Sequence, residues 1–237
     1  MRPEVKIKTA RHCPNLDNSA FCFETHTPMN LIYVADSMCS WCYGFGKTVS
    51  ELLAEPGEFK PLQLALVMGG LRPFTTEPLA PGKADEIFGH WHHVAEASGL
   101  PFSAAPNTAL HELGFIYDTE PASRAAVTVR STWPRHSWAF FKAVQAAFYA
   151  DGKNVTRPEV LADVAEQVGL PRAEFAVAFA SQAMRDATLA DFAQSQRWGI
   201  TGFPAVIAAK GDELHLVCRG YAPVDTLRAN LAALTTA

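Results

Sequence analysis

The chain has 237 residues, of which 49% are hydrophobic and 19% charged, with a formal net charge of -4. This is ample apolar material for a buried core, and the acidic balance forces no basic face, so nucleic acid is not an expected partner. No run approaches the roughly 18 apolar residues of a membrane-spanning helix, and five cysteines are too few for a disulfide scaffold in a chain of this length.

The chain opens with Met1-Arg2-Pro3-Glu4-Val5-Lys6-Ile7-Lys8, which lacks the apolar core of a signal peptide. A cytoplasmic protein is expected. Residues 1–28 show no period, end on Thr27-Pro28 and read as a loose N-terminal extension. Cys13 and Cys22 lie in it, and their pairing, or their use as a tethered substrate, is the minor reading. Met29 leads into a strand over 30–36 built on Leu31-Ile32-Tyr33-Val34. A helix follows over 42–54, then a strand over 61–68, and together they make a right-handed βαβ unit. Beyond Gly69-Gly70 the texture changes to a loop marked by Pro73, Pro78 and Pro81.

Helical signals then run over 83–97, 119–131, 136–150, 157–168 and 172–196. Thr156 is placed to cap one helix, with Pro158 and Glu159 in its first turn, while Gly169 closes it and Pro171 starts the next. Strands over 205–209 and 213–218 are joined by Lys210-Gly211-Asp212, and a helix over 223–234 ends the chain.

Cys39-Ser40-Trp41-Cys42 sits at the strand-to-helix step. Cysteines spaced in this way on the first turn of a helix can close a disulfide with little backbone movement. The first sits where unpaired N–H groups and the helix dipole favour negative charge, hence the reactive thiolate. Cys39 is therefore the expected nucleophile. Cys42, one turn in and more buried, is the expected resolving thiol. Ser40 and Trp41 between them are uncharged. Downstream, Thr201-Gly202-Phe203-Pro204 enters an apolar run at a position where a strand tolerates proline.

The order βαβ, helices, ββα reads as an α/β thioredoxin fold interrupted by an all-helical insertion. Residues 29–72 and 197–237 would form the thioredoxin-like domain and 73–196 the helical one. The chain resembles the DsbA-like members of the thioredoxin superfamily, and more narrowly the leaderless bacterial group of predicted protein-disulfide isomerases. Three stretches carry the likeness: Asp36-Ser37-Met38-Cys39-Ser40-Trp41-Cys42-Tyr43-Gly44-Phe45, Tyr117-Asp118-Thr119-Glu120-Pro121-Ala122-Ser123-Arg124-Ala125, and Thr201-Gly202-Phe203-Pro204.

The resemblance implies a cis bond before Pro204, with Pro204 beside the cysteines. It also implies a substrate surface including Trp41, Phe203 and Pro204, and a thiol–disulfide oxidoreductase acting on protein or small-molecule disulfides. The redox-active group is then the Cys39–Cys42 pair itself, with no further cofactor and glutathione as a candidate co-substrate. Relatives often carry proline where this chain has Ser37. Tyr33 stands where thioredoxin has a buried acid, six residues before the first cysteine, and Asp36 lies only three residues before it.

Other candidates have blander readings. His90, His92 and His93 flank Trp91, and two histidines sharing a helix face without a third ligand are poor evidence for metal. Glu120 and Arg124 are spaced for a local ion pair. Cys218 reads as a small buried hydrophobe, and Tyr43 and Phe45 are either groove walls or core. Two alternatives to the oxidoreductase remain. One is a glutathione-dependent kappa-type transferase or isomerase, against which Cys39 stands because serine is usual there. The other is a non-catalytic peptide-binding module, against which the paired cysteines stand.

Overall fold

The computed structural model describes residues 30–235 except 105 and 107. The readings placed on residues 1–28, including Cys13 and Cys22, lie outside the described residues. The strands are β1 (Asn30–Ala35), β2 (Gln63–Met68), β3 (Ala205–Lys210) and β4 (Glu213–Arg219). The helices are α1 (Ser40–Ala54), α2 (Lys83–Ser98), α3 (Glu120–Thr132), α4 (Ser137–Tyr149), α5 (Pro158–Gln167), α6 (Arg172–Ala180), α7 (Gln182–Arg197) and α8 (Val224–Thr235).

The sheet runs in the order β2-β1-β3-β4. β2 is parallel to β1, whereas β3 is antiparallel to both β1 and β4. β1 is buried along its whole length, as its continuous apolar run requires of a central strand covered on both faces. One face carries Leu31, Tyr33 and Ala35 against Phe45, Val49 and Leu52 of α1 and Leu227 and Leu231 of α8. The other carries Ile32 and Val34 with Val67, Ile200 and Ile207.

β2 would be an open edge, which is a hazard for unwanted pairing. Here side chains close it. Arg130 of α3 donates to the Leu66 carbonyl, and Asp191 of α7 accepts the Met68 N–H at 2.8 Å. The two side chains also pair with each other at 2.7 and 3.0 Å. A second apolar cluster sits among the helices, built on Trp91, Phe115, Phe140, Phe148, Tyr149 and Phe175.

Four local expectations need correction. α1 begins at Ser40 rather than at 42, so Cys39 itself is the capping residue. The strand expected from 61 begins at Gln63. The helix expected over 172–196 is two helices broken at Ser181, whose extended backbone ends α6 and whose Oγ accepts the Met184 N–H to start α7. Serine is a favoured N-cap because its oxygen can satisfy an orphan N–H, and that signal outweighs the unbroken apolar spacing. Thr156 is not a cap: Arg157 holds that position, and Thr156 Oγ1 donates to Asn154 Oδ1 at 2.6 Å.

Candidate active site

β1 delivers the chain to a tight turn, Asp36-Ser37-Met38, that aims Cys39 at the start of α1. The turn is tied down throughout. The Asp36 carbonyl accepts the Cys39 N–H at 3.2 Å. Asp36 Oδ1 accepts the Met38 N–H at 2.8 Å and Oδ2 the Leu71 N–H at 2.7 Å. Burial pushes the Asp36 carboxyl up to about 6 against the pull of these two N–H groups and a hydrogen bond from Thr119. Ser37 Oγ donates to the Ala122 carbonyl at 3.3 Å, and Tyr117 Oη donates to the Met38 carbonyl at 2.7 Å.

Cys39 occupies the N-cap with extended backbone and makes no side-chain cap bond, and the first turn of α1 holds no acidic side chain. Its Sγ lies 3.7 Å from the carbonyl oxygen of Phe203. The Phe203–Pro204 bond is cis, as the resemblance implies. Cys39 retains 7% of its surface and Cys42 none. Both are free thiols. Burial pushes the Cys42 thiol well above the usual cysteine range, and the adjoining Cys39 adds to the effect. Tyr33, fully buried, donates to the Cys42 carbonyl at 3.2 Å. The position that holds an acid in thioredoxin thus carries a neutral phenol here, with burial holding its proton firmly.

An apolar strip leads away from Cys39. A Cβ on Gly69 would stand 1.9 Å from Phe203 Cε1, so the Phe203 ring lies directly on the glycine. Gly70, at φ +73°, receives the ring of Phe192 in the same way. Phe74 meets Phe192 edge-on at 6.4 Å, and Phe74 and Leu71 are exposed. On another side Trp41 packs against Tyr221 with ring centroids 5.7 Å apart.

The structure therefore brings Cys39, Cys42, Phe203 and Pro204 together, with Trp41 on the same turn. The sequence reading missed Tyr221, Phe192, Leu71 and Phe74; the last two were visible as apolar residues in a proline-rich loop. It also gave the Tyr117–Ala125 stretch no role beyond marking a subgroup, whereas this stretch buttresses the cysteine turn. The Glu120–Arg124 pair forms as expected, at 2.7 and 3.2 Å. Arg124 also donates to the Phe179 carbonyl and lies over the Phe179 ring.

Tyr43 and Phe45 are core residues, Tyr43 stacked on Tyr149 and Phe45 against Tyr33. His90, His92 and His93 are exposed, and Trp91 is buried against Phe148 and Tyr149. Cys218 is buried, donates to the Gly220 carbonyl, and is pushed up to about 11 by burial. Among the described residues, no group of three or more His, Cys, Asp or Glu side chains is placed to hold a metal ion. No helix among them is long and apolar enough to cross a membrane.

A central βαβ unit, a ββα unit and a cysteine pair facing a cis-proline turn define a protein of the thioredoxin class. The chain belongs to the DsbA-like thioredoxin domain family, whose model matches residues 30–232. Among solved structures it is similar to a protein from Nitrosomonas europaea provisionally assigned as a protein disulfide isomerase. That likeness has 38% identity, a TM-score of 0.80, and covers 89% of this chain and 98% of the other. It also shares its fold with the cytosolic disulfide reductase DsbM from Pseudomonas aeruginosa at 22% identity and a TM-score of 0.72, over 88% of this chain and all of that one. DsbM solved with GSH matches at 23% identity and a TM-score of 0.70, again over 88% of this chain and all of that one. Comparison with curated proteins gives no match.

Proposed function

We propose that this protein is a thiol–disulfide oxidoreductase that reduces or isomerises disulfides through Cys39 and Cys42, with no other cofactor. The observation that carries the reading is the asymmetry of the pair: Cys39 caps a helix with its sulfur 3.7 Å from the Phe203 carbonyl, while Cys42 is sealed and held protonated. A thiolate at Cys39 attacks one sulfur of the substrate disulfide. The Cys39–substrate bond forms, the substrate S–S bond breaks, and the other substrate sulfur leaves as a thiolate. Cys42 then loses its proton and displaces the remaining substrate sulfur. The products are a Cys39–Cys42 disulfide and a dithiol substrate that has gained two electrons. We infer that Asp36, the buried carboxylate on the turn before Cys39, accepts that proton. In isomerisation the adduct is resolved by another substrate thiol instead.

The Phe203-Pro204 turn, Trp41 and the strip of Phe192, Phe74 and Leu71 serve as the substrate surface, an apolar one suited to protein segments. The fold shared with a cytosolic reductase and the disulfide isomerase assignment of the Nitrosomonas relative support this chemistry and a cytoplasmic setting. The GSH seen with DsbM makes glutathione the candidate small co-substrate. The test is reduction of insulin disulfides by dithiothreitol. The wild-type chain should accelerate it and Cys39→Ala should not. Equal rates for the two would overturn the proposal.

A further inference from the structure

Tyr33 lies in the middle of β1, opposite Leu66 of β2 on one side and Val206 of β3 on the other. Its ring is fully buried in a cage of Phe45, Trp138 and Phe141, whose centroids lie 5.9, 5.9 and 6.0 Å away. The sheet and the cage fix the ring. Its hydroxyl reaches the first turn of α1, where it donates to the Cys42 carbonyl at 3.2 Å. That carbonyl does not depend on the phenol. α1 runs from Ser40 to Ala54, so the helical pattern already gives it the Gly46 N–H. Tyr33→Phe would keep the ring in its cage and the carbonyl paired, so packing alone gives no reason to bury a hydroxyl here.

The Cys42 sulfur supplies one. Burial holds the proton on Tyr33, and among side chains an ionised Cys42 adds most to that hold; the two side chains also hydrogen-bond. Cys39 and Cys218 act on Tyr33 as well. Burial opposes ionisation of Cys42 most, the Cys39 side chain and the Asp36 charge add to this, and a hydrogen bond from the Asp36 backbone works the other way. Cys42 keeps no exposed surface, so its thiolate must be held by protein donors rather than by solvent.

We propose that Tyr33 is a catalytic residue of the resolving step, whose hydroxyl turns from the Cys42 carbonyl to the Cys42 sulfur as the thiolate forms. A hydroxyl hydrogen rotates without movement of heavier atoms, which suits a sealed site. The Cys42 proton passes to Asp36, and the Cys42–Cys39 bond forms. The Cys39–substrate bond breaks, and the substrate sulfur leaves with the electron pair. Tyr33 keeps its own proton throughout. A hydrogen bond to a charged group shifts an ionisation equilibrium about ten- to a hundredfold. A less stabilised thiolate is a better nucleophile, which returns about half of that logarithm, so loss of the hydroxyl slows release about three- to tenfold.

The inference rests on the oxidoreductase reading, and the test separates the two. Formation of the Cys39–glutathione adduct is followed by quenched-flow mass spectrometry with oxidised glutathione in Cys42→Ala, with and without Tyr33→Phe. The two rates should agree. Release is followed in the full-length protein with both cysteines and should be about three- to tenfold slower in Tyr33→Phe. Reduction of the oxidised protein by dithiothreitol should slow as well, because attack at Cys39 expels Cys42 as a thiolate. Wild-type rates of release and of reduction in Tyr33→Phe would overturn the assignment and leave the cysteine chemistry standing. Equal slowing of formation and release would make Tyr33 a support of the fold only, and would overturn it too. No adduct at Cys39 in Cys42→Ala would overturn the oxidoreductase reading, and this inference with it.

Discussion

Asp36 is the buried carboxylate closest in sequence to the reactive turn, and its ionisation should set a measurable part of the stability-versus-pH curve. The unfolded chain releases this proton near the usual 3.8, whereas the folded protein holds it to about 6. Below about pH 4 the group is protonated in both states and costs nothing. Between these values the folded state binds more protons than the unfolded one, so stability falls as pH rises, and above about 6 the loss is complete. At about 1.4 kcal/mol per pKa unit the loss approaches 3 kcal/mol. Asp36→Asn removes the titration but keeps only one acceptor oxygen, so one of the two backbone N–H groups held by the carboxylate loses its partner.

The variant should lie about 1–3 kcal/mol below the wild type near pH 4, for that lost bond, and gain up to about 3 kcal/mol on it by pH 7.5. Urea unfolding of both reduced proteins across this range measures the difference directly. The competing outcome has the opposite sign. If the two backbone N–H bonds to the carboxylate outweighed its burial, Asp36→Asn would lose ground to the wild type as pH rises. That result, or a difference that does not change with pH, would refute the reasoning. A carboxylate kept at such a cost fits a role in taking the Cys42 proton. Asp36→Asn should then slow release of a mixed disulfide while leaving its formation unchanged, as quenched-flow mass spectrometry would show.

Gly69→Ala places a methyl group 1.9 Å from the Phe203 ring, so it should cost about 1–3 kcal/mol by overpacking and lower the disulfide reduction rate. Unchanged unfolding and unchanged rate would show that Phe203 moves freely. Asp191→Ala leaves the Met68 N–H without its acceptor and Arg130 without its carboxylate, both in buried surroundings. A loss of about 3–5 kcal/mol is expected from urea unfolding, and a loss below 1 kcal/mol would mean that the edge of β2 is not held there. Tyr117→Phe removes one hydrogen bond to the Met38 carbonyl and should cost about 0.5–1.5 kcal/mol. Fluorescence-monitored unfolding gives that value, and no change would remove Tyr117 from the support of the turn.

The elements that position the site were legible because each carries local punctuation. β1 is a continuous apolar run, Cys39 and Cys42 share one helical turn, and Gly202-Phe203-Pro204 precedes a buried strand. The α6–α7 break was not read, since the apolar spacing continues across Ser181 and only the capping oxygen marks the stop. The support from Tyr117 and Ala122 was hidden for a different reason. These residues lie some 80 positions from Ser37 and Met38, and their contact depends on how α3 packs against the turn, which no local pattern encodes. Phe74 stood out as an apolar residue in a proline-rich loop, but its pairing with Phe192 was not legible, because it depends on Gly70 of one segment meeting α7 of another.

The central claim is the division of labour between the two cysteines, and mass analysis with peptide mapping of variants that each lack one of the two, after exposure to oxidised glutathione, tests it most directly. Attack by Cys39 leaves a covalent adduct that only a neighbouring thiol releases quickly, whereas Cys42, left without Cys39, keeps no exposed surface and is held protonated by its burial. Cys42→Ala should accumulate a glutathione adduct at Cys39, and Cys39→Ala should accumulate none at Cys42. Equal trapping in both variants, or an adduct at Cys42 in Cys39→Ala alone, would contradict the account.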